Sequence, residues 1–444
     1  MPHGSQSAGS DTAGSAPPKA RNLTDLFDLL AHEAKSELGG IGQTVFFLGD
    51  GIQRAATDFA FDLFSPKTWS PEHLWRMASN GAKQSVQISK LANPQNLALA
   101  WEELKNKIEV FTLVIDLPTK LGLPPAGTGE FIPLAQLVPR AYSVPPFQAL
   151  WAVEGLGHYY ADSYYAHFGN PQSLLSEAQA QVPAKSLLML HAGMGLSFAD
   201  RLLGNLTPDD PSPGETHAML EEFVSLCRNN SREGYLGAAV ESLGLETRDF
   251  YPGLLDVVHQ QLLKIAPELV GFFWHGAGRA LYFSRKYFLP ALTTAWSGIA
   301  EETRNCPDQL SAMAGLAWAI ALVNMRQPTI MENMLRSYVE DSQLGQGFIN
   351  GVASSLIMRQ DTTPSEPFVA AFYQHRPAND SQLATIWENS ITAPAQAALQ
   401  TYYPVLQQNS ALDQVFRYQD LAALTIALQN KDAQEHSGKS ASRK

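Results

Sequence analysis

Cysteine is scarce in this chain: Cys227 and Cys306 are the only two in 444 residues. At most one disulfide can form, so no cross-linked framework holds the fold, and such low usage fits a reducing compartment. Positive charge is also short. Lys and Arg total 31 against 43 Asp and Glu, a formal net charge of −12, and no basic block stands out. An acidic chain of this kind is poorly built to grip phosphate backbones, so nucleic acid is not an expected partner. Long apolar runs are missing as well. The longest, Met313 to Val323, falls short of the roughly 20 residues that cross a bilayer. The N-terminus has no apolar signal core. Strand patterns are sparse. These absences predict a cytoplasmic protein with no transmembrane segment.

What is present is helical apolar periodicity, built on a 45% hydrophobic composition that is ample for a core. The stretch Gly271 to Phe288, GFFWHGAGRALYFSRKYF, is the reference copy. It is apolar and aromatic, and Gly276, Ala277, Gly278 and Ala280 cut a small-residue notch into it. Weaker copies are VEGLGHYYAD, HAGMGLSFAD, REGYLGAAVE, MAGLAWAIAL and INGVASSLIM. Their anchor glycines are Gly155, Gly193, Gly234, Gly276, Gly315 and Gly351, separated by 38, 41, 42, 39 and 36 residues. A proline follows each anchor (Pro171, Pro208, Pro252, Pro290, Pro328, Pro364) and stops a helix there. Each unit thus reads as a notched apolar helix, a break, and a second, amphipathic helix such as Leu254 to Ile265. The expected fold is all-α: an array of six helical hairpins of about 40 residues each, as a curved solenoid or a closed α/α ring with the notched helices inside.

The remaining segments frame this array. Residues 1–21 read as a disordered lead and 22–117 as an N-terminal helical region with helices near Leu23 to Leu30, Thr44 to Phe64, Leu74 to Ile88 and Leu97 to Leu117. The Pro-rich stretch 118–146 reads as a linker. The repeat domain spans 147–375, capping helices 376–430, and a polar, disordered tail 431–444.

A glycine inside a helix costs about 1 kcal/mol against alanine, so it implies close approach of another backbone or of a bound group. Polar residues cluster beside these glycines. Glu154, Glu233, His275 and Asn350 directly precede four anchors, His191 lies two residues before a fifth, and His158 and Arg279 follow three residues after theirs. Glu154 and His158, and likewise His275 and Arg279, are four apart and share a helix face. Two readings stay open. One is mutual satisfaction, with Glu154 bonding His158 and Glu233 bonding Arg232 or Arg279. The other is a pocket in which Glu154 or Glu233 serves as base and His158, His191 or His275 as acid or ligand, walled by Tyr159, Trp274 and Tyr282 and reached by Asn350. The spacing differs from Glu-x-x-His metal pairs, so no metal is expected. His32-Glu33 lacks the second histidine of a zinc-protease helix, and the Gly-x-Gly pairs lack a third glycine and a preceding strand. No phosphate loop or nucleophile elbow is present, and no cofactor is expected.

The segments EGLG at 154–157, His191-Ala-Gly-Met-Gly, EGY at 233–235, HGAGRALYF at 275–283, MAGLAWA at 313–319 and INGVASS at 349–355 together resemble the uncharacterised bacterial proteins of the UnbL type. Those proteins are encoded near enediyne polyketide biosynthesis genes. The similarity spans roughly 147–360 and is most specific at Gly276-x-Gly-Arg-Ala-Leu-Tyr-Phe. The resemblance implies the repeat architecture and an accessory place in biosynthesis, but no reaction. The expected function is a helical binding protein for a protein or an apolar small molecule, with an enzyme built on the Glu/His/Arg cluster as the alternative.

Overall fold

The apolar periodicity is realised as helices, and among the described residues there is no strand. The computed structural model describes residues 94–441 apart from 116, 177–181, 207–210, 285–294, 304, 342–344 and 379. The expected helices before residue 94, and His32-Glu33, lie outside this range. Helix α1 (Pro94–Ile115) is followed by the short α2 (Leu117–Leu121) and α3 (Leu134–Ala141), then α4 (Pro146–Phe168) and α5 (Leu187–Gly204). Next come α6 (Pro213–Asn230), α7 (Leu236–Phe250), α8 (Leu255–Ile265), α9 (Val270–Phe283) and α10 (Ala295–Glu302). The chain continues through α11 (Cys306–Asn324), α12 (Pro328–Asp341), α13 (Gln346–Thr362), α14 (Pro367–Tyr373) and α15 (Ser381–Trp387). Two π turns join α15 to α16 (Ala393–Ala397) and α17 (Tyr403–Gln408), and α18 (Leu421–Ala441) ends the described chain.

Six notched helices, α4, α5, α7, α9, α11 and α13, pack side by side in chain order. Glycines explain how they approach so closely. A Cβ on Gly193 would collide with the Glu154 carbonyl oxygen of α4, and one on Gly195 with the Ala239 carbonyl of α7. Gly276 and Gly278 serve the same two sides of α9, against Glu241 of α7 and Ala312 of α11. Residues two apart on a helix point about 200° apart, so a Gly-x-Gly pair lets one helix touch a neighbour on each side. The same contacts fix direction. Gly157 meets Leu190 and Asp162 accepts from Ser197, so α4 and α5 run parallel. Gly237 beside Phe272 and Gly276 beside Glu241 make α7 and α9 parallel, as Gly271 beside Ser311 and Tyr282 bonded to Asn324 do for α9 and α11. Gly347 meets Leu310 and Gly351 meets Ala314, so α11 and α13 run parallel. Helix α13 also reaches α4 and α5.

The amphipathic helices lie beside this layer. Helix α6 buries Met219, Leu220, Phe223, Val224 and Cys227 on one face, and starts with a capping box between Ser212 and Glu215 followed by Pro213. Cys227 is buried, Cys306 is exposed, and both are free thiols. Helix α11 has 19 residues and is apolar enough to cross a membrane by length and composition, yet most of it is buried between α9 and α13.

Three sequence expectations are corrected. The stretch 118–146 is not a bare linker: it carries α3, whose Leu134, Leu137, Val138 and Ala141 are buried against the core. Gly234 is not a mid-helix notch. It lies in the turn before α7 with φ +81, where a side chain would meet the Ser410 carbonyl; the notch of that copy is Gly244, packed on Phe273. The tail expected to be disordered from 431 is helical as far as Ala441, where α18 ends.

Candidate functional site

Four ionisable residues meet in the middle of the helical layer: Glu154 on α4, Glu241 on α7, and His275 and Arg279 on α9. The two on α9 are four apart, so both point toward the same neighbours. Arg279 Nη2 donates to Glu154 Oε1 at 2.6 Å and Nη1 donates to Glu241 Oε2 at 3.2 Å. His275 Nδ1 lies 3.2 Å from Glu241 Oε1. A carboxylate only accepts, so Nδ1 carries the proton and Nε2 is left as an acceptor. Glu154, Glu241 and His275 are 0% exposed and Arg279 is 3% exposed.

Aromatic rings enclose the cluster. Arg279 lies over the Trp318 ring at 4.8 Å, a desolvated cation–π contact. Trp318 packs against Trp151, His275 and Phe416 with centroids 6.1, 6.0 and 6.2 Å away. Burial is the largest influence on Glu154, His275 and Arg279. It raises the Glu154 carboxyl above its usual range against the pull of Arg279. It lowers His275, against Glu241, so the imidazole is neutral. Burial also opposes the Arg279 charge, but Glu154 and Glu241 outweigh it and hold the guanidinium above its ordinary value. One cation between two carboxyls leaves room for a proton, and Glu154 is the group that burial favours to hold it. Removing one member of such a knot costs about 3–5 kcal/mol, because an uncompensated charge stays buried. Five polar atoms around Trp318 have no partner: Trp151 Nε1, Glu154 Oε2, His275 Nε2, Arg279 Nε and Trp318 Nε1.

The other expected site residues go elsewhere. His158 does not bond Glu154; it turns outward to Asp162, 3.4 Å away, because Arg279 has taken the Glu154 carboxyl. Glu233 is exposed in the turn before α7 and bonds neither Arg232 nor Arg279. His191 is buried apart from the cluster. Its Nδ1 donates to the Leu187 carbonyl at 2.6 Å, its Nε2 accepts from the Arg232 amide at 3.0 Å, and its ring stacks on Tyr235. Burial depresses it to about 4. Asn350 donates to the Gln419 carbonyl at 2.6 Å, and Trp274 Nε1 donates to His259 Nδ1 at 3.0 Å. Tyr159 is buried on α4, where burial raises its hydroxyl.

Tyr282 anchors a second knot. Its hydroxyl donates to Glu103 Oε1 and accepts from Asn324 Nδ2, both at 2.8 Å, while Lys107 lies 3.9 Å over its ring. This ties α1 to α9 and α11.

Sequence reasoning missed Glu241, Trp151 and Trp318. Glu241 had a signal: it is the acid within the small-residue run GAAVESLG, one turn before Gly244. The anchor at Gly234 drew attention to the wrong turn. Among the described residues no group of three His, Cys, Asp or Glu side chains is placed to hold a metal. Compared with known proteins, the chain matches no family model, no curated protein and no solved structure.

Proposed function

We propose that this chain is a helical binding protein that takes an apolar partner group on its surface, and that its buried ion cluster sets the register of the helices. The observation that carries this reading is an exposed aromatic patch at the end of α4. Phe168 is 60% exposed, and Phe131 lies within 5.4, 5.9 and 4.9 Å of the Tyr160, Tyr164 and Phe168 rings. Tyr160 and Tyr164 are half-buried, and so keep part of their faces and hydroxyls at the surface. Aromatic side chains combine large apolar area with low ordering cost, which is why they dominate recognition surfaces. The ion cluster offers no such access, since its members are enclosed and bonded to one another. The side-by-side notched helices support an array that closes on itself, with α13 returning to α4 and α5.

An apolar dye, 8-anilinonaphthalene-1-sulfonate, tests the assignment. The wild-type protein is expected to bind it, the double variant Phe168→Ser/Tyr164→Ser to lose that binding, and His275→Asn to keep it. Binding that survives in the patch variant and disappears in a folded His275→Asn protein overturns the proposal. That result would favour the second reading, an enzyme using Glu154 as acid and His275 as base, for which the five unpartnered polar atoms around Trp318 speak.

A further inference from the structure

Arg359, near the end of α13, is fully buried and carries a guanidinium that the protein satisfies on one side only. Its Nη1 donates to the Phe147 carbonyl at 3.1 Å, and to the Pro146 carbonyl and Thr363 Oγ1 at 3.4 Å each. These bonds tie the last notched helix to the start of the first. Its faces lie against aromatic rings, Phe147 at 5.1 Å and Phe368 at 5.4 Å. Its other edge, Nε and Nη2, has no partner at all.

That edge is the one that grips oxyanions. Nε–H and Nη2–H project in parallel with the spacing of two carboxylate or phosphate oxygens. The same protein shows the use elsewhere: Arg248 Nε and Nη2 clamp Glu302 Oε2 and Oε1 at 2.5 and 2.7 Å. Arg359 has no such carboxylate. Glu366 is close enough to favour its charge but makes no bond to it. Arg326 lies 3.6 Å over the same Phe147 ring, but its charge is already paired with Glu109. A buried guanidinium with an empty fork is costly unless an anion fills it.

We propose that the Nε/Nη2 edge of Arg359 is a binding site for a single oxyanion, a carboxylate or a phosphate, seated at the junction of α13 with α4. The edge is enclosed, so the anion enters when this junction opens and closes over it. Its binding would lock the first and last notched helices together.

The test follows thermal unfolding of the full chain in sodium chloride, sodium acetate and sodium phosphate at matched ionic strength. The wild-type midpoint is expected to rise and saturate in acetate or in phosphate relative to chloride, and whichever salt acts names the source chemistry. Arg359→Met is expected to lose the rise. Arg359→Lys, which keeps the charge without the fork, is expected to weaken the response about tenfold. Glu366→Gln is expected to keep it, since Glu366 is not the partner. Equal midpoints in all three salts overturn the proposal. So does a response of Arg359→Met equal to wild type, or a midpoint drop in Glu366→Gln accompanied by no anion effect, which would assign the fork to Glu366.

Discussion

At the scale of single residues, burial decides protonation in this protein, and Asp361 gives the clearest reading. It is 3% exposed; its Oδ1 accepts from the Tyr403 hydroxyl at 3.2 Å, and its Oδ2 has no partner. Burial pushes its carboxyl up to about 7. Between about 4 and 7 the folded state therefore holds a proton that the unfolded chain has released. Stability from this group is complete below pH 4 and is lost as pH rises through 7. His191 works in the opposite sense: depressed to about 4, it contributes stability above pH 6.5 that is lost as pH falls toward 4. The two slopes oppose one another in the wild-type profile, so a substitution is needed to separate them. Asp361→Asn removes the first slope. Its unfolding free energy minus that of wild type should grow by about 4 kcal/mol from pH 4 to 7, read from denaturant midpoints at each pH. A difference that stays flat across this window means that Asp361 ionises normally in the fold.

At the scale of the element, the glycines matter more than the charges. On α9, Gly276 and Gly278 face opposite neighbours, and a methyl group at Gly278 would collide with the Ala312 backbone rather than with a movable side chain. Helix propensity alone favours alanine by about 1 kcal/mol. Backbone overpacking works against it and wins, because neither helix can shift without disturbing its other neighbour. Gly278→Ala should lower stability by about 1–3 kcal/mol or more, whereas Gly253→Ala, where nothing lies within 4 Å, should change it by less than about 0.5 kcal/mol. Chemical denaturation of the two variants side by side makes the comparison. A Gly278→Ala protein as stable as wild type would remove close helix approach as the reason for the notches.

This is also where sequence reading succeeded and failed. A glycine in an apolar helix advertises close packing, and the anchors on α4, α5, α9, α11 and α13 were legible for that reason. The proline breaks were legible too, as at Pro252 just after α7 and Pro364 just after α13. Gly234 misled because a glycine in a left-handed turn looks the same in sequence as one in a helix. His275 and Arg279 were found together because helical spacing places them on one face. Their partner carboxyls come from 34 and 125 residues away, and helical spacing carries no information about which helix stands opposite.

At the scale of the whole molecule, the fold is held by bonds between residues distant in the chain. Arg279 joins α9 to α4 across 125 residues, and Tyr282 joins α9 to α1 across 179. Gly237 N donates to Asp413 Oδ2 across 176, and Arg359 joins α13 to α4 across 212. Each of these ties a notched helix to a different part of the chain, so opening α4, α7, α9 or α13 alone breaks a buried polar bond. Helix α18 is held differently: Leu421 and Thr425 are buried, but Ile426 is 59% exposed and residues 429–431 are exposed. Local opening free energies follow such differences in burial and bonding. Native-state hydrogen exchange should therefore show the amides of α5, α7, α9 and α11 exchanging together and last, near the global unfolding free energy. The amides of α18 beyond Thr425 should exchange first, through fraying. Exchange of α9 ahead of α5 and α7 would mean that the Glu154–Arg279–Glu241 knot does not couple these helices, and that the notched helices open separately.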